Sequence, residues 1–105
     1  MKKYNLDKMV GGWFVGDFTP SIVKTKDFEV AVKYYKKNSY ENLHHHKVAT
    51  EITVICKGEV IMNNKKYKEG DIIYIAPGEE TDFKAIKDTV TTVVKFPSLT
   101  DDKYE

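Results

Sequence analysis

The chain has 105 residues, which is room for one domain and not for two. With 41% hydrophobic and 31% charged residues, its composition is that of a folded chain with one core rather than a disordered one. Seventeen Lys and Arg stand against 16 Asp and Glu, so the basic excess of a nucleic-acid or acidic-membrane binder is missing, and the lone Cys56 excludes both an intrachain disulfide and the cysteine-based zinc patterns.

The first residues, Met1 to Asp7, are basic but lack the apolar stretch of a secretory signal. No apolar run nears the ~20 residues of a membrane-spanning helix. A cytoplasmic protein without membrane contact is the expectation. A single helical turn is expected around Leu6 to Met9. Trp13, Phe14, Val15 and Phe18 then make an apolar segment stopped by Thr19-Pro20. In Phe28 to Tyr34 the apolar residues alternate, with Phe28, Val30, Val32 and Tyr34 on one face of a half-buried strand. Lys36 to Ser39 is a turn, in which Asn38 tolerates a left-handed backbone.

All three histidines lie in the segment Leu43 to Glu51. Side chains alternate along a strand, so His44 and His46 share a face while His45 points the other way. Residues two apart on a strand are roughly 6.5–7 Å apart at the backbone, close enough for both imidazoles to reach one ion. After a tight turn through Lys47 to Thr50, Glu51 opens the next strand and adds a carboxylate. Two imidazoles and a carboxylate suit iron, manganese, nickel or zinc. A carboxylate that begins an apolar strand is costly to bury unless a cation or histidine donor partners it.

The β-branched run Thr50 to Cys56 ends at Lys57-Gly58, and Cys56 within it is expected to be a buried, inert thiol. Asn63-Asn64-Lys65 reads as a hairpin turn between the strand Glu59 to Met62 and the next one at Lys66-Tyr67. Glu69 to Asp71 and Pro77-Gly78 are turns on either side of Ile72 to Ile75, and Thr81 to Ile86 and Thr89 to Phe96 are the last two strands. Trp13, Phe14, Phe18, Tyr34, Tyr35 and Tyr74 are expected mostly in the core. The lysine pairs Lys2-Lys3, Lys36-Lys37 and Lys65-Lys66 guard edges and turns. Pro97 ends the folded core, and the tail, with Asp101-Asp102, is expected to be a solvated end or a single turn. The chain is therefore read as all-β, with about ten short strands in a sandwich or barrel.

The spacing His44-x-His46, four residues, Glu51, six residues, Gly58 resembles the first sequence motif of the cupins, with Asn38 at its leading glycine position. The run Gly70-Asp71-Ile72-Ile73-Tyr74-Ile75-Ala76-Pro77-Gly78 is similar to their second motif. The resemblance spans residues 38 to 85 and implies a single cupin jelly-roll barrel, with its core at about 12 to 97 and a polar tail at 98 to 105. It also implies a divalent metal held by His44, His46 and Glu51. The family's fourth ligand, a histidine, is replaced by Thr81, and its trailing asparagine by Ala85. Thr81 or the adjacent Asp82 is left to complete or border the shell.

Three functions follow as expectations from that resemblance. The first is a metal-dependent enzyme acting on a small polar molecule, an organic acid or a sugar derivative, through isomerase, epimerase, lyase or dioxygenase chemistry. The second is a metal-independent isomerase of nucleotide-linked sugars, with histidine as acid and base. The third is a small-ligand-binding module without turnover. Apolar residues on both phases of Ile52 to Cys56 and Ile72 to Ile75 further suggest a homodimer.

Overall fold

The structure, a computed structural model, describes residues 1–104. A single 3-10 turn, Leu6–Lys8, precedes ten strands: β1 (Trp13–Val15), β2 (Glu29–Tyr35), β3 (Tyr40–His46), β4 (Thr50–Lys57), β5 (Glu59–Met62), β6 (Lys65–Lys68), β7 (Ile72–Ile75), β8 (Thr81–Ala85), β9 (Thr89–Phe96) and β10 (Lys103–Tyr104). They form two antiparallel five-stranded sheets, in the orders β1-β2-β9-β4-β7 and β10-β3-β8-β5-β6. This is a jelly roll, the all-β architecture expected from the sequence. No helix among the described residues is long and apolar enough to cross a membrane.

The turns form where the sequence lets the backbone go left-handed. Asn63 and Asn64 have φ of 50° and 65°, the two positive values of a type I′ hairpin, and Met62 pairs with Lys65 across them. Asn38, where the cupin motif has glycine, has φ 75°. Gly58 has φ 96°, and a Cβ there would collide with the Asp88 carbonyl and with Thr89, so this position requires glycine for space as well as for backbone.

The inner faces are set by register. Across β2, β9 and β4 the first sheet presents three rows inward: Glu29, Lys95 and Glu51; Ala31, Val93 and Thr53; and Lys33, Thr91 and Ile55. The apolar floor consists of Ile55, Val60, Met62, Ile75, Phe83 and Ala85, with Tyr35, Tyr67 and Ile73 packed against it. Phe83 and Tyr35 stack with ring centroids 4.5 Å apart.

Several expectations about faces are overturned. Phe28, Val30, Val32 and Tyr34 form the outer face of β2, with Tyr34 72% exposed, while Glu29, Ala31, Lys33 and Tyr35 face inward. The strand's polar phase lines the cavity because a jelly roll can place a polar pocket between its sheets. Tyr74 is exposed, not core. Cys56 lies on the outer face of β4, exposed, with its Sγ 3.3 Å from the Thr92 hydroxyl. The tail is not a loose end: β10 pairs with β3, Lys103 opposite His46 and Tyr104 opposite His45, and Ser98 and Asp102 are buried.

Candidate functional site

Between the sheets lies a cavity of about 170 Å³. His44, His46, Glu51 and Thr81 all line it, as do Trp13, Lys33, Tyr35, Glu41, Lys95 and Lys103. His44 and His46 sit at the end of β3, two residues apart on its inner face. A register shift between Glu41 and His44 changes the phase of the strand, which turns Glu41 inward as well. His45 points away, stacked on Tyr104 and 3.8 Å from Glu80.

The hydrogen bonds of the two imidazoles fix their tautomers. His44 Nδ1 lies 2.8 Å from the Asn42 carbonyl, and His46 Nδ1 lies 2.9 Å from the Asp102 carbonyl. A carbonyl oxygen only accepts, so each Nδ1 carries the proton and each Nε2 is left as the site-facing nitrogen. This is the arrangement by which a second partner orients a ligating histidine. The rings are 5.6 Å apart, edge to face.

His46 Nε2 stands 3.5 Å from Glu51 Oε1, and both side chains are largely buried. A neutral imidazole nitrogen and a carboxylate oxygen are both acceptors, so this approach requires a proton or a cation between them. The other Glu51 oxygen accepts a hydrogen bond from the Thr53 hydroxyl at 3.0 Å. Burial pushes the Glu51 carboxyl up. Hydrogen bonds from His46 and Thr53, with the charges of His46 and Lys95, outweigh that and hold it below the usual carboxylate value.

Asp102 is the residue most thoroughly hidden from sequence reasoning. Its carboxylate accepts the backbone N–H groups of Lys47, Val48 and Ala49, at 2.9 to 3.3 Å, and so caps the turn that joins His46 to Glu51. Burial raises its pKa, but the three N–H groups, with His46, bring it below the ordinary aspartate value. Tertiary contact alone makes this link, because Asp102 lies 56 residues from His46 in the chain.

Thr81 is buried opposite His44 in the β3–β8 pair and donates its hydroxyl hydrogen bond to the Asp82 carbonyl at 2.7 Å. The Asp82 carboxylate is used elsewhere, accepting from the Asn63 backbone N–H at 2.8 Å in the β5–β6 turn. Of the expected donors, then, His46 and Glu51 are in direct contact, His44 and Thr81 border them, and Asp82 is directed away.

The rest of the lining is charged. Lys95 Nζ is 2.9 Å from Glu29 Oε1, and the Ser98 hydroxyl donates to the other Glu29 oxygen at 2.9 Å. Trp13 lies beneath two ammonium groups, with Lys33 Nζ 5.3 Å and Lys95 Nζ 4.9 Å from its ring centroid. Sequence reasoning missed Lys33, Glu41, Lys95 and Lys103. The signal for the first was available: Glu29 and Lys33 occupy the phase opposite an apolar one, and only the choice of which phase faces inward was open.

The 3.5 Å between His46 Nε2 and Glu51 Oε1 is within the span of two ligands that each lie about 2.0–2.2 Å from one ion. Among the described residues no three His, Cys, Asp or Glu side chains are gathered closely enough to form a complete shell. The spacing of the His46–Glu51 pair fits a metal, and His44 borders that pair in the same cavity.

No family model matches the chain, and no curated protein does. Solved structures do. A protein from Klebsiella pneumoniae described as having a double-stranded β-helix domain aligns with a TM-score of 0.69 at 19% identity, over 92% of this chain and 85% of its own. An RmlC-like cupin from Shewanella frigidimarina aligns with a TM-score of 0.68 at 14% identity, over 90% and 84%. The pirin YhhW from Escherichia coli, solved in complex with nickel(II), aligns with a TM-score of 0.68 at 18% identity, over 83% of this chain and 39% of its own. Together with the two antiparallel sheets and the pocket between them, these likenesses establish that the chain has the cupin fold.

Proposed function

We propose that the protein binds a divalent metal through His44, His46 and Glu51 and acts as an enzyme on a small polar molecule held in the same pocket. The observation that carries this reading is the locking of both imidazoles by backbone carbonyls, which reserves each Nε2 for the pocket that the Glu51 carboxylate also lines. The nickel bound by a fold relative supports it. A bound ion would supply Lewis-acid polarisation of a substrate oxygen. The chain's own groups would do the rest: the Trp13 face and the lysines orient the substrate, and the Met62–Phe83 floor excludes water. Elemental analysis of untagged protein purified without chelator tests the reading. About one equivalent of metal, absent from His46→Ala, is the expected result; no metal in either, after incubation with iron, manganese, nickel and zinc, overturns it.

The gap in the shell favours one other reading. If no ion binds, the His46–Glu51 pair is an acid–base dyad, suited to isomerising a keto-sugar. Solvent deuterium entering a keto-sugar substrate at the carbon next to its carbonyl, lost in Glu51→Gln, would identify it. We further infer a homodimer that buries the outer face of the first sheet, where Tyr34, Ile72 and Tyr74 are 63–72% exposed beside Val30, Val32, Ile52, Val54 and Val94. The free exposed thiol of Cys56 suits the reducing cytoplasm.

A further inference from the structure

The inner rows of the first sheet treat their two lysines differently. In the row Glu29, Lys95 and Glu51, the Lys95 ammonium is matched by Glu29 at 2.9 Å. In the row Lys33, Thr91 and Ile55, no carboxylate comes within 4.0 Å of Lys33 among the described residues. Burial lowers the Lys33 pKa; Glu41 and Glu51, which line the same pocket, raise it from a distance, Lys95 and Lys103 lower it, and the net result is below the ordinary lysine value. Directly across the β2–β9 ladder from Lys33 stands Thr91, 1% exposed, whose hydroxyl has no hydrogen-bond partner. Opposed residues on one face have Cβ atoms about 5 Å apart, so the two groups can serve one ligand. An unmatched, half-buried ammonium and an unused, buried hydroxyl each cost free energy until something binds them.

We propose that Lys33, with the Thr91 hydroxyl beside it, is a carboxylate-docking subsite, and that the ligand is a small organic acid whose carboxylate sits there while its other end faces His44, His46 and Glu51. This deepens the reading of the cavity as a small-molecule site and rests on it. A carboxylate matches both groups at once, one oxygen accepting from the ammonium and the other from the hydroxyl. The Trp13 ring, 5.3 Å from the Lys33 Nζ, holds the ammonium over the cavity without neutralising it. A cavity of about 170 Å³ limits the ligand to a compact molecule. The proposal therefore favours an organic acid over a nucleotide-linked sugar.

Trp13 is the chain's one tryptophan and lines the pocket, so its fluorescence reports binding there. Malonate, its uncharged diamide and inorganic phosphate would be titrated into wild type, Lys33→Met, Lys33→Arg, Thr91→Val and His46→Ala, with metal content measured on each. The expected result is a saturable response to malonate and none to malonamide. Affinity should fall at least about tenfold in Lys33→Met and be partly restored in Lys33→Arg. Thr91→Val should weaken malonate binding while matching or exceeding wild type in thermal stability, because it removes a buried, unpartnered hydroxyl. Metal content should be unchanged in Lys33→Met, and malonate should still bind His46→Ala. Should wild type hold no metal yet bind malonate through Lys33, the metal reading fails and the subsite stands. Equal affinity in folded Lys33→Met and wild type, loss of malonate in His46→Ala alone, Lys33-dependent binding of phosphate in preference to malonate, or no response to malonate at all would each overturn the proposal.

Discussion

His46 is held from both sides: its Nδ1 by the Asp102 carbonyl and its Nε2 against Glu51. The Asp102 carboxylate meanwhile ties down the three N–H groups of the turn between them. Replacing Asp102 with Ala leaves those N–H groups without their anionic acceptor and should cost about 2 kcal/mol, read from urea melts. It should also lower metal content, because it loosens the turn that sets His46 against Glu51. The same carboxylate sets a pH dependence. Its folded pKa is depressed, so the stability it contributes is present above the unfolded aspartate value, near pH 4, and is lost as pH falls through the folded one. Glu51, also depressed, acts in the same direction. Asp102→Asn should therefore flatten the loss of stability below about pH 4, and Asp102→Asn with Glu51→Gln should flatten it further. An unchanged acid limb in urea melts would refute the assignment.

Among the elements, β10 has an importance out of proportion to its two residues. It closes the open edge of β3, the strand that carries both candidate ligands, and adds a Tyr104 ring stacked on His45 with Lys47 Nζ 4.3 Å from its centroid. Truncation after Ser98 should free the β3 edge. Hydrogen exchange at Leu43 to His46 should rise while β4 and β9, paired along seven and eight residues of their lengths, stay protected. At the β4–β5 junction, Gly58→Ala should destabilise by more than the ~1–2 kcal/mol of left-handed strain, since its Cβ also meets the Asp88 carbonyl. Thermal melts of the variant check this.

The whole molecule has two faces that use apolar residues in opposite ways. One sheet turns a charged surface inward to the pocket and an apolar one outward, with Ile72 70% and Tyr74 63% exposed. A second copy would bury that outer face, placing both pockets away from the interface. Ile72→Lys with Tyr74→Lys should then yield a monomer by light scattering at micromolar concentration, with the pocket intact as judged by malonate binding. A wild-type chain already monomeric at that concentration would rule the dimer out.

The sequence by itself determined the local structure: turns at Asn38, Asn63-Asn64 and Gly58, where side-chain chemistry dictates a left-handed backbone, and strands between them. It also determined that His44 and His46 share a face, because alternation along a strand leaves no choice. Which face lies inside was decided by the tertiary structure. Period-2 alternation in β2 is equally compatible with either orientation, and only the facing sheet, with its own carboxylate and histidines, makes Lys33 rather than Tyr34 the inner residue. The exposed Cys56 and the buried Asp102 follow from the same cause. Their surroundings are made by residues distant in the chain, 36 away for Thr92 and 53 to 56 for the turn and histidine that Asp102 holds, and no local pattern encodes a partner so far off.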